Sequence, residues 1–145
     1  MAEVLLRSSV LADLPQIVGL LYDGRQEPSR LEIDTWAEVM SRPDTTVYVA
    51  EADGELVACA TFLVLANLSY DCRPTGFIEA MRVSGAHRRK GIASRLLLRI
   101  LDDARRRGCH KIQLLAHKRH ADDGAHALYR SVGFEEEAAG FRLYL

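Results

Sequence analysis

The stretch SGAHRRKGIASRLLLRILDDARRRG runs from Ser84 to Gly108 and joins a basic turn to an amphipathic helix. After Gly91, apolar side chains recur at helical spacing along one stripe, and the opposite face is charged. The stripe comprises Ile92, Leu96, Ile100 and Ala104, with Leu97 and Leu101 beside it. The cations at 88–90 stand where a helix N-terminus already contributes positive charge, an arrangement that predicts an anionic ligand. Gly108 predicts the C-terminal cap.

The composition describes a single ordinary domain. Its 145 residues are enough to bury a sizeable core. With 19 basic and 20 acidic residues the formal net charge is −1, so the broad positive excess of a general nucleic-acid binder is missing. No apolar run approaches the ~20 residues of a membrane span, and the N-terminus lacks a signal-peptide pattern. We therefore expect a cytoplasmic protein with neither a nucleic-acid nor a membrane partner.

The cysteines and histidines predict no metal site and no disulfide framework. Cysteines number three, an odd count, and lie far apart in the chain: Cys59, Cys72 and Cys109. Four histidines gather late in the sequence, at His110, His117, His120 and His126. Their irregular spacing does not match a metal-ligand pattern, and surface histidines are the better interpretation.

The remaining pattern predicts an α/β domain with a mixed sheet. Strands are expected over 3–10, 77–83, 111–116 and 141–145, with a hairpin over 45–66 that turns at Asp53 and Gly54. Helices are expected after Asp13, which would be the N-cap with a proline just inside, and over 33–43, 91–108 and 123–132. Asp122 or Asp123 would cap the last helix.

A strand ending near Val83, a short turn and a glycine at a helix start form a geometry that can hold phosphate. The first-turn amides are free, and Gly91 and Ala93 are small enough for an anion to approach. A solvated basic turn is the alternative. The P-loop pattern is absent because Lys90 precedes Gly91, and the dinucleotide pattern G-x-G-x-x-G is absent too.

The stretch resembles motif A of the GNAT superfamily of acetyl-CoA-dependent N-acyltransferases, roughly V-x-P-x-x-[RQ]-x-x-G-x-[GA]-x-x-L. Residues 83–96 fit this motif except that Gly85 replaces the proline. A second family block, roughly N-x-x-A-x-x-L-Y-x-x-x-G-F, is matched by residues 122–134, with Asp122 in place of the asparagine. The order of elements is similar from end to end, so the resemblance covers essentially the whole chain.

The resemblance implies a GNAT-like fold over residues 1–145, in which a mixed central sheet is flanked by helices and a splayed strand pair holds acetyl-CoA. It assigns the backbone of Met81, Arg82 and Val83 to the pantetheine arm. It assigns the following loop and helix start to the pyrophosphate: Arg88, Arg89, Lys90, Gly91, Ile92, Ala93 and Ser94. No metal is implied.

The resemblance also implies two catalytic side chains. Tyr129 matches the family tyrosine near the sulfur and would protonate the leaving thiolate; a phenol, with an ordinary pKa of about 10, keeps its proton at neutral pH. Glu79 would act on the amine directly or through water, and an amide near Met81 would donate to the oxyanion. A core tyrosine and a solvent-facing glutamate are the alternatives. A covalent route through Cys72 lacks a histidine at a recognisable spacing.

The acceptor is less defined by the sequence. The resemblance implies direct transfer of an acetyl group to a primary amine of a small molecule, of the amino-sugar, amino-acid or polyamine type. Arg25, Arg30 and Arg73 could bind an anionic acceptor or could simply be solvated. Transfer to a protein or peptide amine, and a CoA-sensing module without turnover, are the alternatives. The apolar segment 141–145 favours a homodimer, since an unpaired apolar edge strand invites partners.

Overall fold

A five-stranded sheet in the order β1-β2-β3-β4-β5 separates two layers of helices. The structure is a computed structural model that describes residues 3–25, 27–120 and 124–145. The strands are β1 (Val4–Ser8), β2 (Thr45–Ala52), β3 (Glu55–Leu65), β4 (Thr75–Val83) and β5 (Lys111–Leu114). The helices are α1 (Leu14–Leu21), α2 (Arg30–Ser41), the single turn α3 (Ser69–Cys72), α4 (Ile92–Arg106) and α5 (Ala125–Ser131). The first four strands pair antiparallel, and β4 and β5 pair parallel, which confirms the mixed sheet.

The β2–β3 hairpin forms as predicted. Its two-residue turn consists of Asp53 and Gly54, whose φ angles are 52° and 79°. Positive φ at both positions is what a type I′ turn requires, and that turn matches the twist of the strands it joins. The hairpin supplies the centre of the sheet, and Val49, Ala50 and Ala58 are fully buried in it.

Helix α4 covers one face of the sheet with the apolar stripe that its sequence predicts. Leu96, Leu97 and Ile100 have no exposed surface and pack with Phe62 of β3 in one cluster. The helix ends at Arg106, and Gly108 follows it with a φ of 75° and an amide that donates a hydrogen bond to the Arg105 carbonyl, which confirms the predicted cap. This face is closely packed.

Helices α1 and α2 cover the opposite face. Trp36 of α2 is buried against Val18 and Val49, and its Nε1 donates to the Leu11 carbonyl at 3.1 Å. Helix α2 begins at Arg30, three residues before the predicted range, because Ser29 and Glu32 form a capping box. The S-x-x-E signal for this start is present in the sequence and was missed.

Asp13 stands at the predicted N-cap position, but the predicted hydrogen bond from its side chain to α1 is wrong. Asp13 precedes α1, but its side chain makes no cap bond to that helix. It accepts instead from the Val10 amide at 2.8 Å and pairs with Arg7 at 2.8 Å. These bonds hold the pKa of Asp13 below its usual value, the bond from Arg7 contributing most. The carboxylate therefore ties the turn Leu11–Asp13 to β1.

The strand predicted over 141–145 does not form. These residues have no regular structure, and Phe141, Leu143 and Leu145 are almost fully exposed. Apolar alternation favours a strand only where a neighbouring strand completes its hydrogen bonds. In the described chain, β5 is the edge of the sheet and this segment does not pair with it.

Candidate active site

Strand β4 is paired on both sides only over its first half. Residues 75–78 pair with Lys111 to Leu114 of β5, and the ladder between these strands ends at Ile78 and Leu114. Pairing with β3 continues on the other side as far as Val83. In the described chain, the backbone of 79–83 therefore faces a gap on its β5 side. A strand edge of this kind presents unpaired amide and carbonyl groups to a ligand.

A β-bulge marks the point where the two strands separate. Cys59 opposes Arg82 and Thr61 opposes Glu79, so Ala60 faces two residues of β4, Ala80 and Met81. Ala80 has a φ of 51°, in the left-handed region that favours glycine. Bulges of this kind bend a strand and often lie beside active sites.

The turn after β4 brings the predicted phosphate-binding residues to the same end of the strand. A short 3₁₀ turn, Gly85–His87, leads to Arg89 with a φ of 59° and to Gly91 with a φ of 76°. Helix α4 then begins at Ile92, and its first helical bond runs from the Arg95 amide to the Gly91 carbonyl. The amides of 92–94 precede this bond and are the free donors of the helix N-terminus.

The charge of this turn is not neutralised locally. Arg88, Arg89 and Lys90 are exposed, and none of them pairs with an acidic residue that the structure describes. Gly91 has no side chain to cap the helix, and a Cβ built there would meet nothing within 4 Å. Cations, free amides and the positive end of the helix dipole thus lie together at the start of α4, which suits a phosphate group.

The two predicted catalytic residues lie on different parts of this framework. Glu79 is an exposed residue of β4, directly opposite Thr61 and next to the bulge. Tyr129 is half-buried on α5, with its ring in an edge contact with Phe134 at 6.2 Å between centroids. Tyr129 packs against the same buried cluster as Met81 and Val83. The prediction that Asp122 or Asp123 caps α5 falls outside the described residues; Gly124, with a φ of 93°, directly precedes the helix.

A cavity of about 330 Å³ lies on the α1 and α2 side of the sheet, and no sequence motif predicted it. Apolar side chains of the two helices form most of its wall, namely Leu14, Ile17, Val18, Leu21, Leu31, Trp36 and Val39. Its floor is formed by the strands through Thr45, Val47, Cys59, Thr61 and Ala80. Its remaining lining residues are Tyr22, Glu32 and Thr35. Ala80 therefore belongs both to the bulge and to the cavity.

The cysteines occupy three unrelated environments. Cys59 is buried at the cavity floor, where burial raises the pKa of its thiol to about 11. Cys72 is exposed at the end of α3, and Cys109 is half-buried after α4. All three are free thiols.

Neither a metal cluster nor a membrane span is found in the described ranges. They hold no group of three or more His, Cys, Asp or Glu residues placed to bind a metal ion. None of the helices in these ranges is both long and apolar enough to cross a bilayer.

Comparisons with known proteins identify a matching family and related sequences. The model of the acetyltransferase (GNAT) family matches residues 12–134. An uncharacterized N-acetyltransferase of Bacillus subtilis strain 168, YsnE, is 33% identical over 98 residues, covering 68% of this chain and 61% of its own length. Glucosamine 6-phosphate N-acetyltransferase 1 of Oryza sativa subsp. japonica is 31% identical over 103 residues, covering 70% of this chain and 59% of its own length. This chain thus spans about 60% of the length of these relatives.

The fold is shared along its full length with solved structures. A transcriptional regulator from Bacillus halodurans C-125 superposes with a TM-score of 0.91 at 26% identity, covering 99% of this chain and 100% of that one. The order of the helices and strands is thus a property of a fold that other chains also adopt.

Proposed function

This chain belongs to the GNAT acetyltransferase family, and we propose that it transfers an acetyl group from acetyl-CoA directly to a primary amine of a small molecule. Residues 79–83 form the open half of β4, which lacks a neighbour on its β5 side. This open half lies beside the N-terminus of α4, and that arrangement carries the proposal. Bound acetyl-CoA supplies an acetyl group activated as a thioester. We assign the acetyltransferase domain to the whole of 1–145.

Two sets of backbone groups would hold acetyl-CoA. The β5-facing edge of 79–83 offers amide and carbonyl groups that can pair with the amide-containing pantetheine arm as another strand would. The amides of 92–94 offer donors to the pyrophosphate, and Arg88, Arg89 and Lys90 offer countercharge. The residues present therefore fit a long ligand with amides at one end and phosphates at the other.

Direct transfer needs a proton donor for the sulfur and a donor for the oxygen that gains charge. Tyr129 is the proposed acid, because it carries a phenol and packs against the cluster that Met81 and Val83 join. The oxygen would be stabilised by an amide of β4 near Met81, where the gap leaves backbone groups available. Glu79 is proposed to accept the proton of the amine directly or through water, since it stands beside the bulge.

The exposed segment 141–145 supports a homodimer in the cytoplasm as a further part of this proposal. Phe141, Leu143, Tyr144 and Leu145 expose apolar surface that a second copy would cover. The free thiols are those of a protein in a reducing compartment. Light scattering is expected to give twice the monomer mass, and a monomer at micromolar concentration would contradict the dimer.

The enzymatic proposal is tested by following acetyl-CoA consumption over a panel of amines, amino sugars and peptides. We expect turnover with at least one small primary amine and a product acetylated on nitrogen, identified by mass spectrometry. Turnover only with peptides would overturn the small-molecule acceptor. Tight CoA binding without turnover on any member would favour a CoA-sensing module.

A further inference from the structure

The cavity between the α1–α2 layer and the sheet is walled almost entirely by hydrocarbon. From it we infer that the acceptor of this enzyme is a small primary amine on an apolar aliphatic or aromatic body, an inference that rests on the proposed acetyl transfer. At about 330 Å³ the cavity lies at the small end of ligand sites, which range over roughly 300–1,000 Å³. A single ring or a short alkyl chain is therefore the size of body that it suits.

The charge of the lining argues against a phosphorylated or strongly anionic acceptor. Glu32 is the one charged residue among the described residues that line the cavity, and no Lys, Arg or His is among them. Its carboxylate accepts hydrogen bonds from Arg25 and from the Ser29 amide, and these bonds, that from Arg25 most of all, lower the pKa of Glu32 to about 2. A permanent carboxylate repels a phosphate.

The guanidinium of Arg25 already has three partners within this chain. Its guanidinium pairs with Glu32, donates to the Glu27 carbonyl at 3.2 Å and lies over the Tyr22 ring at 4.9 Å from the centroid. Recruiting it for a phosphate would break the Glu32 pair. A phosphate-bearing amine would thus enter an apolar cavity without a charged partner, which is costly.

The cavity reaches the β4 bulge, where the proposed reaction site begins. Ala80 lines the cavity and belongs to the bulge, and Thr61 lines it directly opposite Glu79. Cross-strand partners carry their side chains on the same face of a sheet, so Glu79 lies on the cavity side. An apolar body seated among the helices would leave its amine at the bulge, where the open half of β4 begins.

The same apolar wall assists the chemistry. Only a neutral amine can attack a thioester, and removal of water disfavours the ammonium form and lowers its pKa. An apolar cavity therefore favours the reactive form of the amine.

Trp36 gives a readout of occupancy that does not depend on turnover. It is the single tryptophan of the sequence, it is buried, and it lines the cavity. Protein saturated with CoA, which carries no acetyl group, is titrated with phenethylamine and hexylamine and, in parallel, with glucosamine 6-phosphate and putrescine. We expect Trp36 emission to change saturably with the first pair only. With acetyl-CoA as donor, kcat/KM for the two apolar amines should be at least tenfold higher than for the two polar amines. One methylene group in an apolar pocket already changes kcat/KM by ~10–200-fold.

A matched pair of variants on α2 locates the effect. Thr35 and Ala37 are both exposed, but only Thr35 lines the cavity. Thr35→Phe should obstruct the cavity and lower kcat/KM for phenethylamine about tenfold or more. Ala37→Phe should change it by no more than about twofold, as is usual for surface substitutions. CoA affinity, measured by calorimetry, should be retained in both.

The outcomes separate this inference from the proposed acetyl transfer. Saturable Trp36 responses to the apolar amines without any acetylation would leave the cavity assignment standing as a binding site and overturn the enzyme. Acetylation of glucosamine 6-phosphate or putrescine with no response to the apolar amines would overturn the inference and leave the enzyme. Unchanged Trp36 emission with all four amines would also overturn the inference, as would equal effects of Thr35→Phe and Ala37→Phe.

Discussion

The two halves of β4 share one strand but have different tasks. Over 75–78 the strand is paired on both sides, and Thr75 and Ile78 are buried. Over 79–83 it is paired on one side, is interrupted by a bulge at Ala80 and faces a gap. Where the backbone bonds are complete, substitutions should act on stability. Where they are incomplete, substitutions should act on ligand binding and turnover.

The largest effect is expected at the end of the open half, from Gly91→Glu. A carboxylate would occupy the space beside the first-turn amides and repel phosphate, so we expect CoA affinity to fall at least about 100-fold, or roughly 2.7 kcal/mol. Gly108→Glu is the matched control, because its φ of 75° nearly equals the 76° of Gly91 and its Cβ also meets open space. In both variants the free energy of unfolding should fall by a similar amount, about 1–3 kcal/mol, because a non-glycine residue is strained in the left-handed region. Equal CoA affinities in calorimetry would reject the site.

The next effect concerns Tyr129, which packs against the cluster beside the open half. Tyr129→Phe removes the proposed acid, and we expect kcat to fall roughly 10–100-fold, the low end of general acid catalysis because a thiol with a pKa near 8.5 leaves well unaided. CoA affinity should change little. Tyr48→Phe is the control: Tyr48 is buried and donates to Asp103, so its loss should lower the free energy of unfolding and spare kcat. A collapse of CoA affinity in Tyr129→Phe would make Tyr129 a binding residue.

A smaller effect is expected from Gly76→Ala in the closed half of β4, residues 75–78, which pair with both β3 and β5. A Cβ at Gly76 would lie 2.7 Å from Phe62 Cε2 and 3.3 Å from Ile112 Cγ1, so neighbouring side chains must move. We expect the free energy of unfolding to fall by roughly 1–2 kcal/mol, within the range for overpacking. Gly85→Ala, where a Cβ meets nothing within 4 Å, should be close to neutral. Chemical denaturation of both variants measures the difference, and equal stabilities would contradict the packing described for this half.

The smallest effect is expected at the bulge itself. Ala80→Gly removes the strain of a left-handed conformation, which costs alanine about 1–2 kcal/mol. Glycine also gives the unfolded chain more backbone entropy, which lowers stability by about 0.5–1 kcal/mol. The stability should therefore stay within about 1 kcal/mol of the parent. Ala58→Gly, at a fully buried position in β3, gains no such relief and should lose about 1–2 kcal/mol. A larger loss at Ala80 than at Ala58 would show that the bulge is unstrained.

Local signals in the sequence predicted most of the framework correctly. The hairpin turn at Asp53 and Gly54, the apolar stripe of α4 and its glycine cap all depend on residues within a few positions of one another. The capping box of Ser29 and Glu32 is equally local, and it starts α2 three residues before the predicted range. Asp13 was placed correctly before α1 but given the wrong partner, because its bond to Arg7 depends on how β1 approaches the turn.

The candidate site also has features that local sequence predicts and features that depend on tertiary structure. The positions of Gly91 and of the cations at 88–90 followed from the motif, and the structure places them at the end of β4. The strand predicted over 141–145 failed because a strand needs a neighbour, which alternation of side chains cannot supply. The cavity was not predicted, since Leu14, Trp36 and Thr61 come together only in the folded chain.

The sequence by itself determined most of the helices and strands of this protein, the family to which it belongs, and the glycine and cations of the turn before α4. These depend on periodicity, caps and glycine positions, which act over a few residues. Only the tertiary structure decided where β4 loses its second neighbour, that Ala80 is bulged and that an apolar cavity opens beside Glu79. Those features arise from pairing and packing between distant segments, whose free energies depend on which surfaces meet, and no local pattern encodes that.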